Sequence, residues 1–211
     1  MVIENSLDII LDSKIKVKII RLFISRTEDF RSSGREIAKL IKVSPPTTHT
    51  ALKELYGQGI LKLEIIGKQH IYSLNAKNRI VKDILKPGFK KELSLKEDIS
   101  RFLIKKIGEL NLKPKIDSLI LYGSLQRDST TNRSDVDIAV IVKNKKDTEA
   151  IRDKFIVDIA GEFSEYFGAH LDAYVKSRAE FVYRMKRHLS PVSSLMKSYS
   201  LIFGKEPFEL I

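Results

Sequence analysis

Residues 135–142 read Asp-Val-Asp-Ile-Ala-Val-Ile-Val, and they restrict the fold more than any other stretch. A short β-branched run of this length predicts a buried strand, yet two carboxylates stand at its mouth. Strand side chains alternate between faces, so Asp135 and Asp137 are expected to point the same way. Adjacent negative charges raise each other's pKa unless a cation neutralises them. The run therefore demands a sheet whose strand end is also a polar site.

The neighbouring sequence supplies such a sheet. "DSLILYG" (117–123) predicts a strand that ends at Gly123. "DTEAIRDKFIVDIAGEFSEYFG" predicts a long helix with Ile151, Phe155, Ile159 and Phe163 in one stripe. "AHLDAYV" (169–175) predicts a third strand, and two helices are expected to fill most of the remainder. Short apolar runs alternating with helices are the mark of an α/β (α+β) fold. In the third strand His170, Asp172 and Tyr174 share a face, so Asp135, Asp137 and Asp172 can converge. A hard divalent ion with oxygen ligands answers that charge, and Mg²⁺ favours one or two carboxylates plus substrate phosphates. Gly123 lets the backbone approach a ligand, and the turn N–H groups with the Ser124 hydroxyl can cradle phosphate oxygens.

Gly123-Ser124, ten residues, then Asp135-x-Asp137 resembles the signature of the minimal nucleotidyltransferases, a branch of the DNA polymerase β-like superfamily. The resemblance runs over about residues 95–200. It implies that Gly123 and Ser124 contact the triphosphate of an NTP, with ATP expected, and that Asp135 and Asp137 hold Mg²⁺. Asp172 matches the third carboxylate, which shares the metal and helps deprotonate the acceptor hydroxyl. Arg127 stands where the family often has a phosphate-binding arginine. Asp128 departs from the family, which usually has glycine there, and puts a negative charge beside the phosphates. Such enzymes often act as antitoxins that modify a HEPN-type protein partner, so the acceptor can be a protein hydroxyl.

The first eighty residues follow a different pattern. "KIKVKIIRLFIS" spaces Ile15, Ile19, Leu22 and Phe23 as a helix with lysines opposite. A second short helix starts near Ser33, carrying Ile37, Ala38, Leu40 and Ile41. A third begins with Ser44 as its cap and Pro45 at its first position. It buries Thr48, Ala51, Leu52 and Leu55 and stops at Gly57 or Gly59. "ILKLEII" and "HIYSL" flank Gly67-Lys68-Gln69 as a hairpin. This order closely resembles the winged helix-turn-helix modules of prokaryotic transcription regulators over about residues 13–75. In such modules the third helix enters the major groove and the wing touches the neighbouring backbone or minor groove. Thr47, His49, Thr50 and Lys53 point away from the apolar face, and Lys68 and Gln69 sit with His70 at the wing tip. They are the candidate contacts to double-stranded DNA. His49 and His70 are not read as metal ligands, because no further ligand stands at a suitable spacing.

Charge agrees with that division. The 211-residue chain carries +11 net, with 16 Lys and Arg against 9 Asp and Glu over residues 1–88 (+7) and 22 against 18 over the rest (+4). A basic first half fits a polyanion. "KPGF" (86–89) predicts a turn and a boundary, giving a winged helix-turn-helix domain over 1–88 and a minimal nucleotidyltransferase domain over 89–211. The amphipathic stretch with Leu95, Ile99, Phe102, Leu103 and Ile107 opens the second domain, forms a dimer seam, or does both. No cysteine is present, so disulfides and thiolate metal sites are excluded. No bilayer-length apolar run and no secretory signal stand out, so a cytoplasmic protein without a membrane partner is expected. A homodimer fits paired DNA half-sites. Three functions follow: an active nucleotidyltransferase on a DNA-binding module, a transcription regulator whose transferase fold senses nucleotide without catalysis, and a scaffold docking partners through both domains.

Overall fold

The computed structural model describes residues 6–123 and 135–211. The chain divides into two compact units, Met1–Leu95 and Lys96–Ile211. The division falls beyond Pro87-Gly88, where the sequence predicted a turn. Those residues instead lie inside α5 (Lys86–Leu93), which continues a π-helical segment, Val81–Leu85. Pro87 lies inside this continuous helix directly after the π-helical turn, the kind of irregularity that accompanies a proline within a helix.

The first unit opens with α1 (Ser6–Ile10) and α2 (Lys14–Ile24). Strand β1 (Arg31–Ser33), absent from the sequence reading, leads into α3 (Gly34–Ile41). Ser33 caps α3 by accepting the Glu36 N–H, and Lys42 ends it in the left-handed region at φ 56°. Helix α4 (Pro45–Gly57) follows. Ser44 occupies the cap position but its side chain makes no capping bond. Its Oγ lies 2.6 Å from Thr47 Oγ1, and its carbonyl accepts from Thr48. Strands β2 (Leu61–Ile66) and β3 (Gln69–Leu74) form the wing across Gly67-Lys68, with Gly67 at φ +59°. The sheet order is β1-β3-β2, all antiparallel.

Thr48, Ala51, Leu52 and Leu55 of α4 are buried, as their helical spacing requires. Ala51, Leu52 and Leu55 pack with Ile19, Ile20 and Phe23 of α2 and Ile37 of α3. Each fully buried Leu or Ile contributes roughly 1.5–3 kcal/mol, which is why three short helices hold together. Two residues depart from the expected pattern. Leu40 is 42% exposed, and Lys16 is only 2% exposed instead of standing with the surface lysines. Lys16 Nζ lies 3.0 Å from Asp12 and 2.7 Å from Glu54, and donates to the Ile9 carbonyl at 2.9 Å. Burial pulls its pKa down, but the two carboxylates outweigh that and raise it, so the ammonium stays charged.

The second unit begins within α6 (Leu95–Glu109), whose Ile99, Leu103 and Ile107 enter the core while Leu95 stays 38% exposed. Its sheet has the order β6-β5-β4-β7, built from β4 (Ile116–Tyr122), β5 (Val136–Val142), β6 (Leu171–Ser177) and β7 (Tyr199–Gly204). Strand β5 runs antiparallel to β4 and parallel to β6, and β7 closes the other side antiparallel to β4. Every residue of β4 is buried because it sits mid-sheet with both faces covered. One face packs on α6 and on a helix formed by α7 (Thr148–Lys154), a π segment Phe155–Ile159 and α8 (Ala160–Phe167). Ile151, Phe155, Ile159 and Phe163 are all buried. Strict four-residue spacing drifts around an ideal 3.6-residue helix, and the wider π turn keeps the stripe on the sheet. The opposite face packs on α9 (Arg178–Lys186) and α10 (Val192–Leu195). The sequence reading gave the region after β6 to helices and so missed β7. Among the described residues, no helix is long and apolar enough to cross a membrane.

Candidate active site and nucleic-acid interface

The site in the second unit is built by strand register. Tyr122, the last residue of β4, pairs with Asp137 of β5 on one side and Tyr199 of β7 on the other. Asp137 in turn pairs with Asp172 of β6. Tyr199, Tyr122, Asp137 and Asp172 therefore form one row across the sheet, and residues in register share a face. The two aspartates, 35 positions apart in sequence, become neighbours because β5 and β6 run parallel and start together.

Gly123 fixes the geometry above them. Its φ is +86°, and a Cβ there would lie 1.9 Å from Asp137 Oδ2. Only glycine permits both the left-handed turn and that approach. A cavity of about 460 Å³ opens here, lined by Tyr122, Gly123, Asp137, Asp172, Tyr174 and Lys176 among others. That volume lies within the roughly 300–1,000 Å³ common for small-molecule sites.

Tyr122 is buried, and burial pushes its hydroxyl up to about 12, helped by the carboxylates of Asp137 and Asp172 and by Tyr174. It stays a neutral O–H group beside two anions. Burial likewise raises Tyr174, whose hydroxyl is buried without a hydrogen-bond partner.

The structure brings Gly123, Asp137 and Asp172 together, but not Asp135. That residue precedes β5 and is exposed. The expected convergence of three aspartates is thus reduced to a pair. Among the described residues, no group of three or more His, Asp or Glu side chains is placed to hold a metal ion. Alternation failed as a guide at Asp135 because it holds only inside the paired strand. His170 is also exposed, and its carbonyl accepts the Val136 N–H at 2.8 Å. Ser124, Arg127 and Asp128 lie outside the described residues.

Among the lining residues that the sequence did not mark are Arg152 of α7, Lys176, Ser194 and Ser198. Lys176 was legible as the next same-face position after Asp172 and Tyr174. Arg152 and the serines carry no local signal, since only the tertiary fold brings them to the cavity.

In the first unit, Thr47, His49, Thr50, Lys53, Lys68 and Gln69 are all exposed. His49, Lys68 and Gln69 meet in a groove of about 660 Å³ between the start of α4 and the wing, joined by Arg35 and His70. Thr47 and Thr50 line a separate groove with Asp12 and Glu54. Lys16 neutralises part of that acidic charge. Thr50 Oγ1 donates to the Pro46 carbonyl at 3.3 Å.

No curated protein matches the chain. Similar solved structures include the transcriptional repressor BigR from Xylella fastidiosa (18% identity, 40% of this chain and 81% of that chain, TM-score 0.34). Another is the antimony-specific transcriptional repressor AntR (17%, 44% and 75%, TM-score 0.34). A third is a possible transcriptional regulator from Methanosarcina mazei Go1 (16%, 49% and 87%, TM-score 0.32). Residues 103–183, which span β4, β5, β6 and both carboxylates of the row, match the family model described as Polymerase beta, Nucleotidyltransferase.

Proposed function

We propose that the second unit is a Mg²⁺-dependent nucleotidyltransferase that moves a nucleoside monophosphate from an NTP, with ATP preferred, to an acceptor hydroxyl. The first unit binds duplex DNA through α4 and the wing. The observation that carries this reading is the in-register pair Asp137–Asp172 facing Gly123 in an open cavity.

The donor set fits the metal. Two neighbouring carboxylates with an obligatory glycine beside them match the preference of Mg²⁺ for one or two carboxylates completed by substrate phosphates. Asp137 and Asp172 would hold it. When bound, Mg²⁺ offsets the charge of the phosphates and of the developing transition state. The chain's own groups do the rest. The positive-φ turn at Gly123 lets backbone reach the triphosphate, and Ser124 and Arg127, outside the described residues, are the proposed polar and cationic contacts. Asp172, at the β6 side, accepts the acceptor's proton. The acceptor oxygen then bonds to the α-phosphorus, the bond from α-phosphorus to the bridging oxygen breaks, and pyrophosphate leaves with that electron pair. Tyr122, held neutral, braces the Asp137 side of the row without adding charge.

The acceptor implied by the family resemblance is a hydroxyl on a HEPN-type partner, and a homodimer would offer two α4 helices to paired half-sites. One observation favours the second reading, nucleotide sensing without transfer: Asp135 stands apart from the other two carboxylates. Incubation with α-labelled ATP, Mg²⁺ and candidate acceptor proteins separates them. Transfer that disappears in Asp137→Ala supports catalysis. Mg²⁺-dependent ATP binding with no transfer to any acceptor supports sensing. Transfer that survives the substitution rules out the carboxylate site.

A further inference from the structure

The groove between α4 and the wing gathers side chains that are cationic or can become so: Arg35 of α3, His49 of α4, and Lys68 and His70 of the wing. All of them are exposed, and none of these side chains makes a hydrogen bond or an ion pair among the described residues. The carboxylates on the framing elements are engaged elsewhere. Glu36 of α3 accepts from Ser32 Oγ at 2.8 Å, Glu54 of α4 lies 2.7 Å from the buried Lys16, and Glu64 of β2 lies 2.8 Å from Arg31. No carboxylate is among the described residues that line the groove. The other titratable group facing it is Tyr72 of β3, whose hydroxyl burial pushes up and so keeps neutral. The remaining charged groups of α3, α4 and β2 are the exposed cations Lys39, Lys53 and Lys62. Pro45 and Pro46 also line the groove and carry no N–H, so the start of α4 offers no backbone donor at those positions. Side chains carry its charge.

We infer that this groove is a clamp for backbone phosphate, and that His49 and His70 make its grip on duplex DNA depend on pH. This rests on the DNA-binding reading above. Histidine changes charge between about pH 5 and 8, whereas Arg35 and Lys68 stay cationic throughout that range. The groove therefore gains charge as pH falls, with no lining carboxylate to cancel it. A phosphate seated against an imidazole favours the charged form through opposite charge and hydrogen bonding, so binding takes up protons. The sign follows from that linkage: the added affinity is present below the histidine range and is lost as pH rises through it. Each imidazolium set on a phosphate also releases one more counterion, which deepens the slope of log K against log salt by about 0.9. The groove at Thr47 and Thr50 has the opposite character, since Asp12 and Glu54 line it.

The test titrates the full chain against a random-sequence DNA duplex over a series of salt concentrations, at about pH 5.5 and about pH 8. Phosphate contacts carry no sequence information, so no target site is needed. At the lower pH the salt slope is expected to steepen by about 1.8, and affinity at fixed salt to rise by about tenfold or more. His49→Gln and His70→Gln, both at exposed positions, are each expected to remove about half of that change, and together all of it. Lys53→Ala, which removes a permanent charge, is expected to lower the slope by the same amount at both pH values. Equal slopes at the two pH values in the unaltered chain overturn the inference, as does a pH-dependent slope that survives in the double variant. Absence of salt-dependent duplex binding at both pH values overturns the DNA-binding reading itself, and the inference with it.

Discussion

The two units place their chemistry in opposite ways. In the first, Thr47, His49, Lys53, Lys68 and Gln69 lie on the solvated surface of a helix and a hairpin, and none of them holds the fold together. In the second, Tyr122, Gly123, Asp137 and Asp172 are built into the ends of paired strands, against one another. A surface that reads a polyanion needs charge on mobile stems. On the proposed reading the second unit transfers a nucleotidyl group and needs fixed carboxylates, which the strand ends supply. Substitution should therefore cost function alone in the first unit, and function together with stability in the second. Lys16 is the exception that sharpens the contrast: the buried cation of the first unit is spent on Asp12 and Glu54, not offered to a ligand.

The comparison breaks most visibly at Asp172. Under the proposed function Asp172 is the general base, a role worth about 10²–10⁴-fold, so Asp172→Asn should lower kcat by at least roughly that lower bound and leave the proposed duplex binding of the first unit intact. Single-turnover transfer and a gel shift on the same preparation measure both. Next comes Gly123→Ala. A residue forced to φ +86°, with its Cβ against Asp137, should cost about 1–3 kcal/mol in urea unfolding and lose transfer as the carboxylate is displaced. An alanine variant of wild-type stability and activity would contradict the close packing of turn and carboxylate.

Tyr122 gives the third test. Its pKa of about 12 when folded, against about 10 when unfolded, means that the folded state holds the phenolic proton more tightly. The associated stability is complete below pH 10 and is lost as pH rises toward 12, on the order of 2–3 kcal/mol. Tyr122→Phe should flatten that part of the alkaline unfolding curve, and an unchanged difference between pH 9 and 12 would show that burial there is not what raises the group. The smallest effect belongs to the first unit. Lys53→Ala should change stability by no more than about 0.5 kcal/mol, yet weaken duplex binding and reduce its salt slope by about 1. A large loss of stability would mean that α4 is not a solvated reading face.

How much of this was legible in the sequence depends on whether a feature is local. The buried face of α4 followed from helical spacing alone, and the wing from Gly67 between two apolar runs. The row of carboxylates was half legible. Alternation places Asp137 and Asp172 on definite faces of their strands, but only the parallel pairing of β5 with β6 makes them neighbours. Asp135 misled because the strand starts one residue later, and alternation has no force outside it. Strand β7 was hidden because Tyr199–Gly204 is a short apolar run, which periodicity alone does not assign to strand rather than helix. Pro87-Gly88 suggested a break, but the helix runs through them directly after a π-helical turn, which local composition does not reveal.

The central claim is that Asp137 and Asp172 together hold the metal of a bound nucleotide against the Gly123 turn. A crystal structure grown with Mn²⁺ and a non-hydrolysable ATP analogue tests it directly, because manganese scatters anomalously and takes the place of magnesium. The account predicts an anomalous peak shared by the two carboxylates, with the analogue's phosphates beside Gly123. Manganese away from both aspartates, or an analogue seated outside the cavity, would contradict it.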